Sequence, residues 1–141
     1  MKGDKVFLDT NILIYAHDVS SGKKHEVARK IVLELWESGL GVLSTQVLQE
    51  FFYGVTKKIS QPLDMQVAKE VVSHLLKWDI VVNDGESILK AIEIHNRYLY
   101  SFWDSMIIYA AISGGAAILL SEDLHDRQTI LGVTIENPLS T

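Results

Sequence analysis

Three short apolar runs, Lys5-Val-Phe-Leu-Asp9, Gly41-Val-Leu-Ser44 and Ala117-Ile-Leu-Leu-Ser121, show no alternation of polar and apolar side chains. A strand with one wet face alternates with period two, so runs of this kind belong to strands covered on both faces. The segments between them carry helical periodicity instead. Val27, Ala28, Ile31, Val32 and Leu35 form one stripe of a helix predicted over about Lys23–Ser38, closed by Gly39. Other helices are predicted from Asn11, as cap, to about His17, from Ser44 or Thr45 to about Lys58, and from Pro62 in its first turn to about Lys77. Two more run from Asn83–Asp84 to about Tyr98 and from Ser101, as cap, to the stop at Gly114-Gly115. Asp79–Val82 and Val133–Ile135 complete the strands. Such alternation, with few Asn-Gly or Asp-Gly hairpin turns, specifies an α/β fold: a three-layer sandwich around a central, mostly parallel sheet. No repeat or linker interrupts it, so residues 1–141 are expected to form a single domain.

Composition narrows the function. With 48% hydrophobic residues and a mean hydropathy of +0.15, the chain can bury a core and is no disordered tail. No apolar run reaches the roughly 18 residues of a membrane span, and Met1-Lys-Gly-Asp-Lys5 leads into a strand without a signal-peptide core. A cytoplasmic protein is expected. The absence of cysteine excludes disulfides and thiolate metal sites, leaving oxygen or histidine nitrogen as metal ligands. The net charge of −5 argues against a generic nucleic-acid binder, yet not against an enzyme that grips a phosphate through a cation.

Between Arg97 and Glu122 the chain carries one charge, Asp104, on the same helical face as Ile107, Ile108 and Ala111. No lysine or arginine lies three or four residues away, and a desolvated carboxylate costs several kcal/mol unless compensated. Other acids hold comparable positions. Asp9 and Asp123 follow buried strands, and Glu50 lies in the second turn of a helix without an ion-pair partner among Gln46, Val47, Tyr53 and Gly54. In parallel sheets ligands bind beyond the carboxyl ends of the strands, where all four acids belong. Each also has a local reading: Asp104 completes a Ser-x-x-Asp capping box with Ser101, Asp123 starts a short helix, Asp9 opens a turn and Glu50 faces solvent. Their gathering without matching bases points to a bound divalent cation.

The motifs Phe-Leu-Asp9-Thr-Asn11, Gln-Glu50-Phe, Phe-Trp-Asp104 and Leu-Leu-Ser-Glu-Asp123, in this order and with the closing Asn137-Pro138, resemble those of PIN-domain nucleases. The chain is most similar to the small VapC-type toxins, and the resemblance covers essentially all of it. It implies a PIN-like sandwich whose acidic pocket binds Mg2+ or Mn2+ and cleaves RNA, with Asp9, Glu50, Asp104 and Asp123 as catalytic and metal-holding acids. Thr10 and Ser121 would add supporting hydroxyls, and Asn11 would support the first acid or cap its helix. Glu122 and Asp126 lie beside Asp123; the Ser-x-Asp spacing favours Asp123, while register leaves the three open. The resemblance also implies a homodimer and a small antitoxin whose arginine would plug the acidic pocket, a match of guanidinium to carboxylate.

Magnesium suits such ligands, since it takes oxygen donors and keeps several waters. It would favour attack of a water on phosphorus in line with the leaving oxygen. Lys23, Lys24 and Lys58 are the candidate phosphate contacts, against the alternative of solvated surface charge. The five histidines form no metal motif, and Phe51, Phe52, Phe102 and Trp103 are expected in the core. An aspartyl-nucleophile hydrolase of the haloacid-dehalogenase kind needs a second acid where Asn11 stands, and a receiver domain needs paired acids that are absent. The remaining alternative is a non-cleaving PIN-like module that binds RNA or protein.

Overall fold

A computed structural model describes residues 3–140; Met1, Lys2 and Thr141, the ends of the expected domain, lie outside the described residues. The elements run β1 (Val6–Leu8), α1 (Thr10–Tyr15), a 3-10 turn (Val19–Ser21), α2 (Lys23–Ser38), β2 (Gly41–Ser44), α3 (Thr45–Lys57) and α4 (Met65–Leu75). They continue with β3 (Asp79–Val81), α5 (Gly85–Tyr98), α6 (Phe102–Ser113), β4 (Ile118–Leu120), β5 (Thr129–Ile130) and β6 (Val133–Glu136). The described strands form one sheet in the order β3-β2-β1-β4-β6-β5, parallel throughout except for the β5–β6 pair. Central β1 pairs Val6 with Gly41 on one side and with Ile118 on the other. Phe7, Leu8, Val42, Leu43 and Leu119 are fully buried, which is why their runs do not alternate. The α/β sandwich and its helix-flanked, mostly parallel sheet agree with the sequence reading.

Four details differ from it. The cap of α1 is Asp9, not Asn11, because the Asp9 carboxylate accepts the Thr10 N–H directly as β1 ends. Helix α4 begins at Met65 behind the cap Asp64, three residues past the expected Pro62; Leu63 N–H is drawn to Val55 C=O at the end of α3, so the chain there is still turning. The antiparallel strand β5 was not expected. Its turn is Leu131-Gly132, both at positive φ (48° and 92°), and leucine there gives no hairpin signal. Trp103 is 65% exposed rather than in the core, whereas Phe51 is fully buried. Helix α6 is apolar on all sides, so periodicity could not tell which way its first turn would point.

Candidate active site

Because β1, β2 and β4 run parallel, their carboxyl ends share one rim, and the chain leaves each through a residue of interest. Asp9 follows β1, Ser44 caps α3 and so places Glu50 in its second turn, and Ser121 follows β4. Asp104 reaches the same rim from the first turn of α6, where its backbone N–H bonds to the Ser101 hydroxyl. A cavity of about 520 Å³ is lined by Asp9, Glu50, Asp104 and Asp123 together with Thr10, Asn11, Tyr53 and Lys58.

The pocket's polar groups are held by one another. Asp9 Oδ1 accepts Thr10 N–H at 2.7 Å and Oδ2 accepts the Ser121 hydroxyl at 2.8 Å. The Thr10 hydroxyl donates to Glu50 Oε1 at 2.6 Å, and Asn11 Nδ2 donates to Asp123 Oδ2 at 2.7 Å. Ser121 Oγ accepts the backbone N–H groups of Asp123 and Leu124 at 3.3 Å each. Thus Thr10, Asn11 and Ser121 each touch an acid. Asp123, rather than its neighbours, faces the cavity: Glu122 turns to Tyr15 and Lys24, and Asp126 accepts the Asn137 N–H.

Charge is unbalanced here. The Asp9 carboxyl is raised from 3.8 to about 6, by burial above all and by the charges of Asp104 and Glu50, against the hydrogen bonds from Ser121 and Thr10 that pull it down. Among the described residues the ion pairs are Lys5–Asp79, Lys24–Glu122 and Lys90–Glu93, and none of the four acids takes part. Lys58 is the base at the cavity edge, its Nζ 5.5 Å from the centroid of the Tyr53 ring. Lys23 and Lys24 lie elsewhere, beside a cleft with Val27 and Leu139, and Lys24 is bound to Glu122 at 2.5 Å. The three lysines therefore do not form one patch.

A donor set of carboxylates and hydroxyls suits a hard cation and disfavours a thiophilic one. Among the described residues, however, no three His, Asp or Glu side chains stand close enough together to coordinate one ion directly. The acids line one cavity, and Mg2+ takes oxygen donors while retaining several waters. The donor chemistry therefore fits.

Two contributors escape the sequence. Gln46 is buried one turn before Glu50; its Nε2 lies 3.3 Å from Glu50 Oε2 and 3.4 Å from the Trp103 carbonyl, joining α3 to the start of α6. Tyr53, 57% exposed, lines the cavity one turn after Glu50. Both occupy helical i±3 or i±4 positions around Glu50, which was the available signal.

The model of the PIN domain family matches residues 6–128. No curated protein matches the chain. Among solved structures it is similar to a toxin–antitoxin complex from Klebsiella pneumoniae, at 22% identity and a TM-score of 0.70 over 97% of this chain and 100% of the other. It also resembles the DNA-bound VapBC of Salmonella typhimurium, at 21% identity and 0.64 over 95% and 98%. Mycobacterium tuberculosis VapC20, a toxin that cleaves the sarcin–ricin loop, gives 16% and 0.62 over 82% and 87%.

Proposed function

The chain belongs to the PIN-domain family, and from that premise we propose that it is a metal-dependent endoribonuclease, the toxin of a toxin–antitoxin pair. The observation that carries this reading is the rim pocket itself: four carboxylates from four distant segments, unpaired with any described base, one of them the partly desolvated Asp9. Asp9, Glu50, Asp104 and Asp123 would hold Mg2+ or Mn2+. When bound, such an ion neutralises the acids and supports in-line attack of water on an RNA phosphorus.

The chain's own residues do the positioning. Ser121 and the Thr10 amide lock both oxygens of Asp9, Thr10 aims Glu50, and Asn11 aims Asp123, so three of the four acids are preset before substrate arrives. Lys58 meets the charge of a phosphate at the cavity edge, and the exposed Tyr53 face offers a surface to a base. Lys23 and Lys24 would touch only RNA that extends beyond the pocket. The Klebsiella and Salmonella neighbours are toxin–antitoxin assemblies, which supports a small basic antitoxin as partner here. No described helix is long and apolar enough to cross a membrane.

Incubation of the purified protein with single-stranded RNA tests the reading. Cleavage in Mg2+ or Mn2+ that stops with EDTA and in Asp9→Ala is the expected result. RNA bound but never cut in either metal would replace the nuclease with a non-cleaving binding module.

A further inference from the structure

Asp123 is the acid with the least regular support, for it sits in the segment between β4 and β5 that forms neither helix nor strand. Beyond Asp123 that segment is fastened by Tyr100. The phenol oxygen accepts the His125 backbone N–H at 3.2 Å and donates to Gln128 Oε1 at 2.5 Å, while the rings of Tyr100 and His125 pack 5.1 Å apart. Gln128 N–H in turn bonds to the His125 carbonyl at 3.2 Å, so the hydroxyl holds a closed turn rather than a loose end.

Tyr100 is itself immobilised. It is only 7% exposed, and its carbonyl is hydrogen-bonded to His95 Nδ1 at 2.5 Å. Leu99 before it caps α5 in the left-handed conformation, and Ser101 after it caps α6. Three residues lie between Tyr100 and Asp104, and the Ser101 cap, whose hydroxyl accepts the Asp104 N–H, joins them through the first turn of α6. Burial raises the phenol above its ordinary range, against the pull of the His125 N–H and with a lesser push from the charge of Asp104; the O–H stays a donor.

We propose that Tyr100 is a positioning residue: its hydroxyl ties the Asp123 segment to the start of the Asp104 helix and so sets the spacing of two acids across the pocket. The role rests on the metal-dependent reading above. It assigns a function to a buried polar group outside the pocket that touches neither ion nor RNA. Partners that orient metal-holding groups in this way contribute to affinity without ligating.

The full-length protein and its Tyr100→Phe variant are titrated with Mn2+ by calorimetry, with hydrogen exchange of the His125 amide and RNA kinetics alongside. The expected outcome is an Mn2+ Kd raised about tenfold, faster His125 exchange and a lower kcat at fixed Mn2+, with KM for RNA unchanged. An unchanged Mn2+ Kd in a folded Tyr100→Phe protein, whatever its Tm, overturns the role and reduces Tyr100 to a packing residue. Should that variant not fold, Gln128→Leu, which removes the acceptor of the same hydroxyl, must raise the Kd in the same direction or the role fails. Failure of the functional reading looks different: wild-type protein would then neither bind Mn2+ nor cut RNA.

Discussion

Asp9 ends β1, caps α1 and faces the cavity, and the three tasks place its carboxylate where water is scarce. The unfolded chain releases this proton near 3.8, whereas the folded metal-free protein keeps it to about 6. Between those values the native state binds the extra proton, so stability falls as pH rises through the window and stays lowered above it. Asp9→Asn keeps an acceptor for the Thr10 N–H and removes the charge. It is expected to stabilise the metal-free protein by roughly 1–3 kcal/mol at pH 7 and by little at pH 4, while abolishing cleavage. Thermal melts in EDTA at the two pH values check this; identical Tm at pH 7 would refute it. Asp104, expected from sequence to leave bulk water, sits half-buried in the first turn of α6. Lys58 is tested at the same scale. Lys58→Ala should weaken RNA binding and flatten its salt dependence by about one charge, with Mn2+ affinity intact.

Helices α1 and α3 must approach closely for Thr10 to reach Glu50, and Gly54 permits it. A Cβ at Gly54 would stand 2.6 Å from Ile14 Cδ1, the mobile end of a side chain on α1. Gly54→Ala therefore moves one methyl group, and the helix propensity of alanine, worth about 1 kcal/mol, offsets that shift. Gly54→Val cannot be absorbed in this way. It is expected to cost about 1–3 kcal/mol and to lower kcat by separating Thr10 from Glu50. Melting curves and metal-supported cleavage of the two variants decide; a valine variant with full activity would show that the contact does not set the site. Helix α3 thereby carries three services on one side: Gln46 toward α6, Glu50 into the cavity and Gly54 against α1.

At the scale of the molecule, the parallel sheet collects the pocket on one rim, and the surface of α5 stands apart from it. The inner face of α5, with Ser87, Ala91 and Ile94, is buried, while Ile88, Leu89 and Ile92 are 46%, 65% and 47% exposed at helical spacing. An exposed apolar stripe of this length suits association. The homodimer expected from the family resemblance is predicted to use it. Leu89→Glu with Ile92→Glu should give a folded monomer in sedimentation equilibrium, and a persistent dimer would exclude this face.

Periodicity and end signals in the sequence specify most of the scaffold. Helix α2 and strand β2 fall where the stripe and the unalternated run put them, since local propensity and burial agree there. The order of four acids along the chain identified the family for the same reason: motifs are local. Which acid of Glu122, Asp123 and Asp126 turns inward, which lysine meets the cavity and which side chains brace it were decided only by the packed chain. Those outcomes depend on contacts such as Tyr15 with Glu122, Asn11 with Asp123 and Tyr100 with Gln128, whose partners lie 107, 112 and 28 residues apart. No local pattern encodes a hydrogen bond that exists only once distant elements have docked.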